Sequence, residues 1–215
     1  MNETSVPIDR LPIFPLSGVY LFPGVSTPLH IFERRYVDMT EDALAGNKLI
    51  CVVSPDRAKL PLAEGVPAVM RYAGVGKIIR HDALPDGRYN IMLAGIGRIE
   101  ILEELQTETR YRLVSARWRP SIAGGEEESG LADVARKLLQ AGIVAGDSDL
   151  APLGALLDPS VDTLLMSNAL PSLLLQTPRA MQEMIEERSV QARLRYCIEH
   201  LQERLLSRAP GGKAN

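Results

Sequence analysis

From Leu11 to about Trp118 the apolar residues come in short runs broken by Pro and Gly, as in Lys48 to Val53, Val69 to Ile79 and Tyr89 to Leu102. Runs of that length bounded by turn formers predict strands. In the third run Tyr89, Ile91 and Leu93 alternate with Arg88 and Asn90, which predicts one buried and one wet face. Between the second and third, Leu84-Pro85-Asp86-Gly87 supplies a fixed φ and a residue tolerant of positive φ, so the flanking runs are expected to form an antiparallel hairpin. Gly95 and Gly97 mark a bend or bulge before Ile99 and Ile101 resume the alternation. One helix interrupts this half: Phe32, Tyr36, Met39 and Ala43 recur at helical spacing over Phe32 to Ala45, with Gly46-Asn47 as a left-handed stop.

Beyond Trp118 the period changes. Ser121 to Gly130 carries Gly124-Gly125 and three consecutive glutamates, which reads as a solvated linker whose acidic run can also start a helix. Leu131, Val134, Leu138 and Leu139 then share a helical face, and further helices are expected near Val161 to Leu170 and Pro178 to Leu206. Asp158-Pro159 and Thr177-Pro178 fit a cap followed by a first-turn proline. The last segment is long enough to break near Glu187 to Ser189, where Ser189 is placed to cap a restart. The fold class read from this is α+β, a mainly antiparallel β subdomain with one helix followed by a C-terminal helical bundle. The expected boundaries are a flexible N-terminus at 1–10, the β subdomain at 11–120, the linker at 121–130, the bundle at 131–207 and a flexible tail at 208–215.

At 215 residues the chain can bury a sizeable core, and 46% hydrophobic with 24% charged residues is ordinary globular composition. A net charge of -3 gives no general attraction to polyanions, so nucleic acid is a disfavoured partner. Cys51 and Cys197 lie far apart inside apolar segments and suit buried thiols in a reducing compartment, which points to a cytoplasmic protein. Residues 1–10 lack the pattern of a secretory signal, and no apolar run reaches the roughly 18 residues of a membrane span.

The chain carries no complete motif of catalysis or cofactor binding. Gly74-Val75-Gly76-Lys77 fails as a phosphate loop, because Arg71 and Ile78 stand where a glycine and a hydroxyl are needed. Gly95-Ile96-Gly97 lacks the third glycine of a dinucleotide fingerprint. His30, His81 and His200 have no second ligand at metal spacing, so neither metal nor cofactor is expected. No Gly-x-Ser-x-Gly elbow occurs, and a Ser-Lys dyad of Ser54 with Lys59 or Lys77 is left open by spacing alone. Paired glutamates such as Glu103-Glu104 read as solvated charge. Two surfaces are candidates for binding. Arg110, Arg112, Arg117 and Arg119 surround Trp118, a mixture that can hold RNA phosphates and stack a base, although arginines alternating with Tyr111 and Leu113 also describe a half-exposed strand. The Leu- and Met-rich helical half offers adaptable apolar contacts, although a bundle core accounts for most of them.

Leu11-Pro12-Ile13-Phe14-Pro15-Leu16, then Leu21-Phe22-Pro23-Gly24, then Pro28-Leu29-His30-Ile31-Phe32-Glu33-Arg34-Arg35-Tyr36 and Met39 together resemble the opening of the N-terminal substrate-binding domain of Lon proteases. Gly74 to Ile79, Pro85 to Arg88, Gly95 to Ile99 and Asn168 to Pro171, with Gln182, Glu186 and Arg193-Leu194, extend the similarity to about Leu206. The resemblance implies a PUA-like β subdomain (the type found in pseudouridine synthases and archaeosine transglycosylases) followed by helices. It also implies a non-catalytic role in engaging unfolded or flexible polypeptide, as an adaptor or holdase beside a protease or chaperone. The ATPase and Ser-Lys protease of full-length Lon are expected to be missing. Phe14, Phe22, Phe32 and Tyr36 are the expected peptide contacts, in a crease between sheet and bundle; an RNA-binding PUA-like protein is the alternative.

Overall fold

The computed structural model describes residues 7–63, 66–125 and 127–208, and the chain divides into two compact units between Pro120 and Ser121. The first unit holds β1 (Pro7–Pro15), β2 (Ser26–Ile31), α1 (Arg34–Ala45), β3 (Leu49–Val53), β4 (Tyr72–Ala83), β5 (Tyr89–Leu105) and β6 (Arg112–Trp118). The strand order is β2-β5-β4-β3-β1-β6, and β6 also pairs with β5, so five strands close on themselves while β2 lies on the other half of the β5 edge. All pairings are antiparallel except β1 with β3.

Strand alternation sorts the core into two clusters. Ile13, Cys51, Val53, Val75, Ile99 and Val114 come from the five closed strands and fill the space between them. Their sequence neighbours Phe14, Ile50 and Val52 face the other way and join Tyr36, Val37, Met39 and Ala43 of α1. Phe32 falls outside that helical face. It precedes the helix, and its ring is 63% exposed beside His30. Glu33 stands at the helix entrance and pairs with Arg35, while Arg34 pairs with Asp38. At the other end the left-handed residue is Lys48, at φ 64, in place of the expected Gly46-Asn47.

The β4–β5 hairpin forms as the turn chemistry requires, with Gly87 at φ 81 and its N–H donating to the Leu84 carbonyl at 3.0 Å. The glycines of these two strands have a further role. The loop Leu21 to Val25 lies flat on them: a Cβ on Gly74 would overlap the Leu21 carbonyl, and one on Gly95 the Phe22 carbonyl. Phe22-Pro23-Gly24-Val25 is a turn with proline second and Gly24 third at φ 79, closed by Val25 N–H to Phe22 O at 3.1 Å. The loop and Gly95 then exchange ladder-like bonds, Gly24 N–H to Gly95 O at 2.9 Å and Gly95 N–H to Val25 O at 2.8 Å. Close approach of backbone explains Gly74 and Gly95, while Gly76 lies against the Leu21 and Leu93 side chains and Gly97 against the Trp118 ring.

Pro7 to Arg10, expected to be loose, belong to β1, where Pro7 and Ile8 register with Arg117 and Ala116. Residues 1–6 and 209–215, also expected to be flexible, lie outside the described residues.

The second unit contains α2 (Glu127–Val144), a 3-10 helix (Ala151–Leu157), α3 (Thr163–Leu174), α4 (Pro178–Glu186) and α5 (Val190–Arg208). Within the stretch read as a linker, Ile122 makes a parallel bridge with Ser189 of this unit. Thr177 caps α4 through Ala180 N–H with Pro178 in the first turn, and Ser189 caps α5 through Ala192 N–H at 3.2 Å. Asp162, not Asp158, caps α3. The buried face of α2 is Ala132, Ala135, Leu139 and Gly142, rotated from the expected leucine face; Val134 is exposed. Small residues on that face bring α2 close to its neighbours.

Between α2 and the 3-10 helix, Asp147 is 3% exposed and receives Arg204 at 2.5 and 2.8 Å, with Arg208 at 3.3 Å. The Arg204 hydrogen bonds hold its carboxyl down at about 2. Because the folded value lies below the ordinary roughly 3.9, the pairing contributes stability that is full above about pH 5 and lost as pH falls through 4 toward 2. Asp147→Asn is expected to lower stability at pH 7 by about 1–2 kcal/mol and to flatten the acid limb. Urea midpoints measured from pH 6 to pH 2 check this, and an unchanged acid limb in the variant refutes it.

Candidate functional site

The first unit carries an open cleft of about 220 Å3. Its floor is apolar: Pro15 ends β1 and Leu16 follows it, Tyr36 comes from the first turn of α1, and Pro67 and Tyr111 come from the connections before β4 and β6. Phe14 supports the floor from below, its ring 4.3 Å from that of Tyr36. Tyr111 is fixed at its far end, where its hydroxyl donates to Asp42 at 2.7 Å. Burial and that acceptor push the phenol up to about 12, so it stays a neutral donor at physiological pH. The loop presenting Tyr111 is braced by Thr109, whose hydroxyl donates to the Tyr111 carbonyl at 2.7 Å.

Arg35, Arg110 and Arg112 surround this floor, with Glu33 beside them. Arg112 grips Glu104 with two bonds of 2.7 and 2.6 Å and donates to the Pro67 carbonyl at 2.9 Å, so it ties β6 to the wall of the cleft. Arg35 lies 4.7 Å over the Tyr36 ring. Arg110 is held most loosely, 3.6 Å from Asp38 and 68% exposed.

The four aromatic residues expected to contact peptide do not converge. Tyr36 lines the cleft and Phe14 underlies it, both mostly buried. Phe22 is fully buried, locked in the loop over the β4 and β5 glycines with Arg98 5.7 Å from its ring. Phe32 points to solvent elsewhere on the first unit. Sequence reasoning does not single out Tyr111 and Arg35 as cleft residues, because a tyrosine just before a strand and an arginine in the first turn of a helix carry no local signal.

The basic and aromatic group separates as well. Arg117 meets Glu100 at 2.7 Å, Arg119 approaches the same carboxylate at 3.9 Å, and Arg71 reaches it at 2.5 Å. Burial would raise the Glu100 carboxyl, but hydrogen bonds from Arg117 and Arg71 outweigh it and hold the group below the usual carboxylate range. Trp118 packs over Gly97, where a Cβ would sit 2.5 Å from the indole. Carboxylate pairing and packing thus account for Arg117, Trp118 and Arg119, while Arg110 and Arg112 belong to the cleft.

The buried Ser54 hydroxyl has no hydrogen-bond partner among the described residues, and Lys59 pairs with Asp56 at 3.1 Å, so these two form no dyad. Both cysteines are buried and unpaired with each other. Among the described residues no cluster of metal-ligating side chains occurs, and no helix is long and apolar enough to cross a membrane.

Residues 10–203 match the family model of the ATP-dependent protease La (LON) substrate-binding domain. Among curated relatives, the Lon protease of Roseiflexus castenholzii is 28% identical over 197 residues, 90% of this chain and 24% of that protein. The Lon protease of Dictyoglomus thermophilum is 32% identical over 113 residues, 52% of this chain and 14% of that protein. The chain therefore spans no more than about a quarter of the length of these relatives. Of solved structures, the N-terminal domain of the Mycobacterium avium complex Lon protease superposes with a TM-score of 0.70 at 15% identity, covering 90% of this chain and 98% of that one. A Lon N-terminal domain protein from Xanthomonas campestris gives a TM-score of 0.61 at 24% identity, covering 94% and 100%. These two likenesses concern the fold, and the sequence match extends across both units: the chain belongs to the LON substrate-binding domain family.

Proposed function

We propose that this chain is a non-catalytic recognition module for unfolded or flexible polypeptide, acting as an adaptor or holdase, and that the cleft floored by Leu16, Tyr36 and Tyr111 receives an apolar side chain of the client. The observation that carries the reading is the family match over residues 10–203 to a substrate-binding domain. The cleft supports it by size. At about 220 Å3 it is smaller than the roughly 300–1,000 Å3 typical of small-molecule sites, and it suits a single side chain of an extended segment. Rigid aromatic walls keep the ordering cost of binding low.

The test is a titration of the full chain with fluorescent unfolded polypeptides and a matched RNA across salt concentration. Binding to apolar peptides is expected in the range of about 1–100 μM and to persist at high salt, because apolar burial is not screened. Val66→Glu, which sets a carboxylate on the cleft wall, should weaken it about tenfold while leaving the circular dichroism spectrum unchanged. No peptide binding, or RNA binding that falls with salt in its place, contradicts the reading.

A further inference from the structure

Three arginines line the cleft, and two of them are already paired: Arg35 with Glu33 through Nε and Nη2 at 3.0 and 2.7 Å, and Arg112 with Glu104 at 2.7 and 2.6 Å. Asp38, the neighbour of Arg110, already holds Arg34 at 2.6 Å, so the 3.6 Å approach of Arg110 is a shared and loose one. Asp42 is likewise occupied by the Tyr111 hydroxyl. What remains is an exposed guanidinium, Arg110, whose one ion pair among the described residues is the loose one to Asp38, beside an apolar floor and on a loop braced by the Thr107–Thr109 and Thr109–Tyr111 hydrogen bonds of 2.8 and 2.7 Å.

From this geometry we infer that the cleft selects apolar segments flanked by an acidic side chain: the apolar residue enters over Tyr36 and Tyr111, and the neighbouring Asp or Glu meets Arg110 at the rim. The inference rests on the peptide-binding reading above and adds the class of segment. A side-chain carboxylate is favoured over a chain terminus. Terminal carboxylates are captured by converging backbone N–H groups, whereas this rim presents guanidinium groups, the usual reader of acidic motifs.

Three peptides sharing one apolar core, flanked by Glu, Gln or Lys, are titrated against the full chain at low and high salt. Glu is expected to bind about fivefold tighter than Gln at low salt, with Lys weakest, and the difference should fade at high salt while the shared apolar affinity stays. Arg110→Glu should invert the order, so that the Lys peptide gains about what the Glu peptide loses; an exposed side chain makes this variant safe for folding. A gain by one peptide is a result that loss of structure cannot produce. If all three peptides bind alike, the acidic preference is wrong and the recognition module stands. If none binds, both fall.

Discussion

Gly95→Ala is expected to destabilise the first unit by about 3 kcal/mol or more, enough to leave much of it unfolded at 37 °C. The added methyl would occupy the position of the Phe22 carbonyl, and a carbonyl in a closed turn cannot rotate aside as a side chain does. Relief requires lifting the Leu21 to Val25 loop, which breaks both bonds between Gly95 and that loop and exposes Leu21 and Phe22, two fully buried residues. Gly74→Ala should behave the same way against the Leu21 carbonyl. Gly130, in α2 with nothing within 4 Å of its would-be Cβ, is the control: alanine there should stabilise the second unit by about 0.5–1 kcal/mol. Denaturant unfolding of the three variants decides the matter, and a Gly95→Ala protein within 1 kcal/mol of the parent would refute the close-packed loop.

Arg193→Met should cost the second unit about 3 kcal/mol. Pro171 lies inside α3 and has no N–H to give the Ser167 carbonyl, the residue four positions earlier. The side chain of Arg193, fully buried, supplies the missing donor through Nε at 3.2 Å. Its Nη1 donates to the Glu187 carbonyl at 2.8 Å, and Nη2 reaches the Ser121 and Ser167 hydroxyls at 3.2 and 2.9 Å. One guanidinium thus ties the α3 interior, the α4–α5 break and the start of the unit. Burial lowers its pKa to about 10, which still leaves it charged at neutral pH. Methionine fills similar volume but leaves those acceptors without a donor, and lysine, with a single ammonium, cannot span them. Arg193→Lys should therefore recover less than half of the loss. Urea midpoints of both variants measure this, and a Met variant as stable as the parent would mean that the bonds contribute nothing net.

These two cases show where the sequence is legible and where it is not. The hairpin at Pro85-Asp86-Gly87, the Thr177-Pro178 cap and the break before Val190 are local, and turn and capping chemistry foretells them. Gly74 and Gly95 also stand out, but their partners Leu21 and Phe22 lie more than fifty residues away, so the need for glycine is invisible until the loop is folded down. Pro171 reads as a helix end, yet α3 continues to Leu174 because a residue on another helix satisfies the orphaned carbonyl. The expected leucine face of α2 gave way to Ala132, Ala135 and Gly142 because close helix approach rewards small residues, which hydrophobic pattern undervalues. In the candidate site, Tyr36 follows from its helical position, whereas Tyr111 and Arg110 come to it only through the closure of β6 onto β1.

Photo-crosslinking of an apolar, Glu-flanked peptide to the full chain, with the adducts located by mass spectrometry, probes the cleft itself. Adducts on Leu16, Val66 and the Arg110 to Arg112 segment, competed away by unlabelled peptide, are the predicted result. Saturable adducts confined to the second unit, with none on these residues, would contradict it.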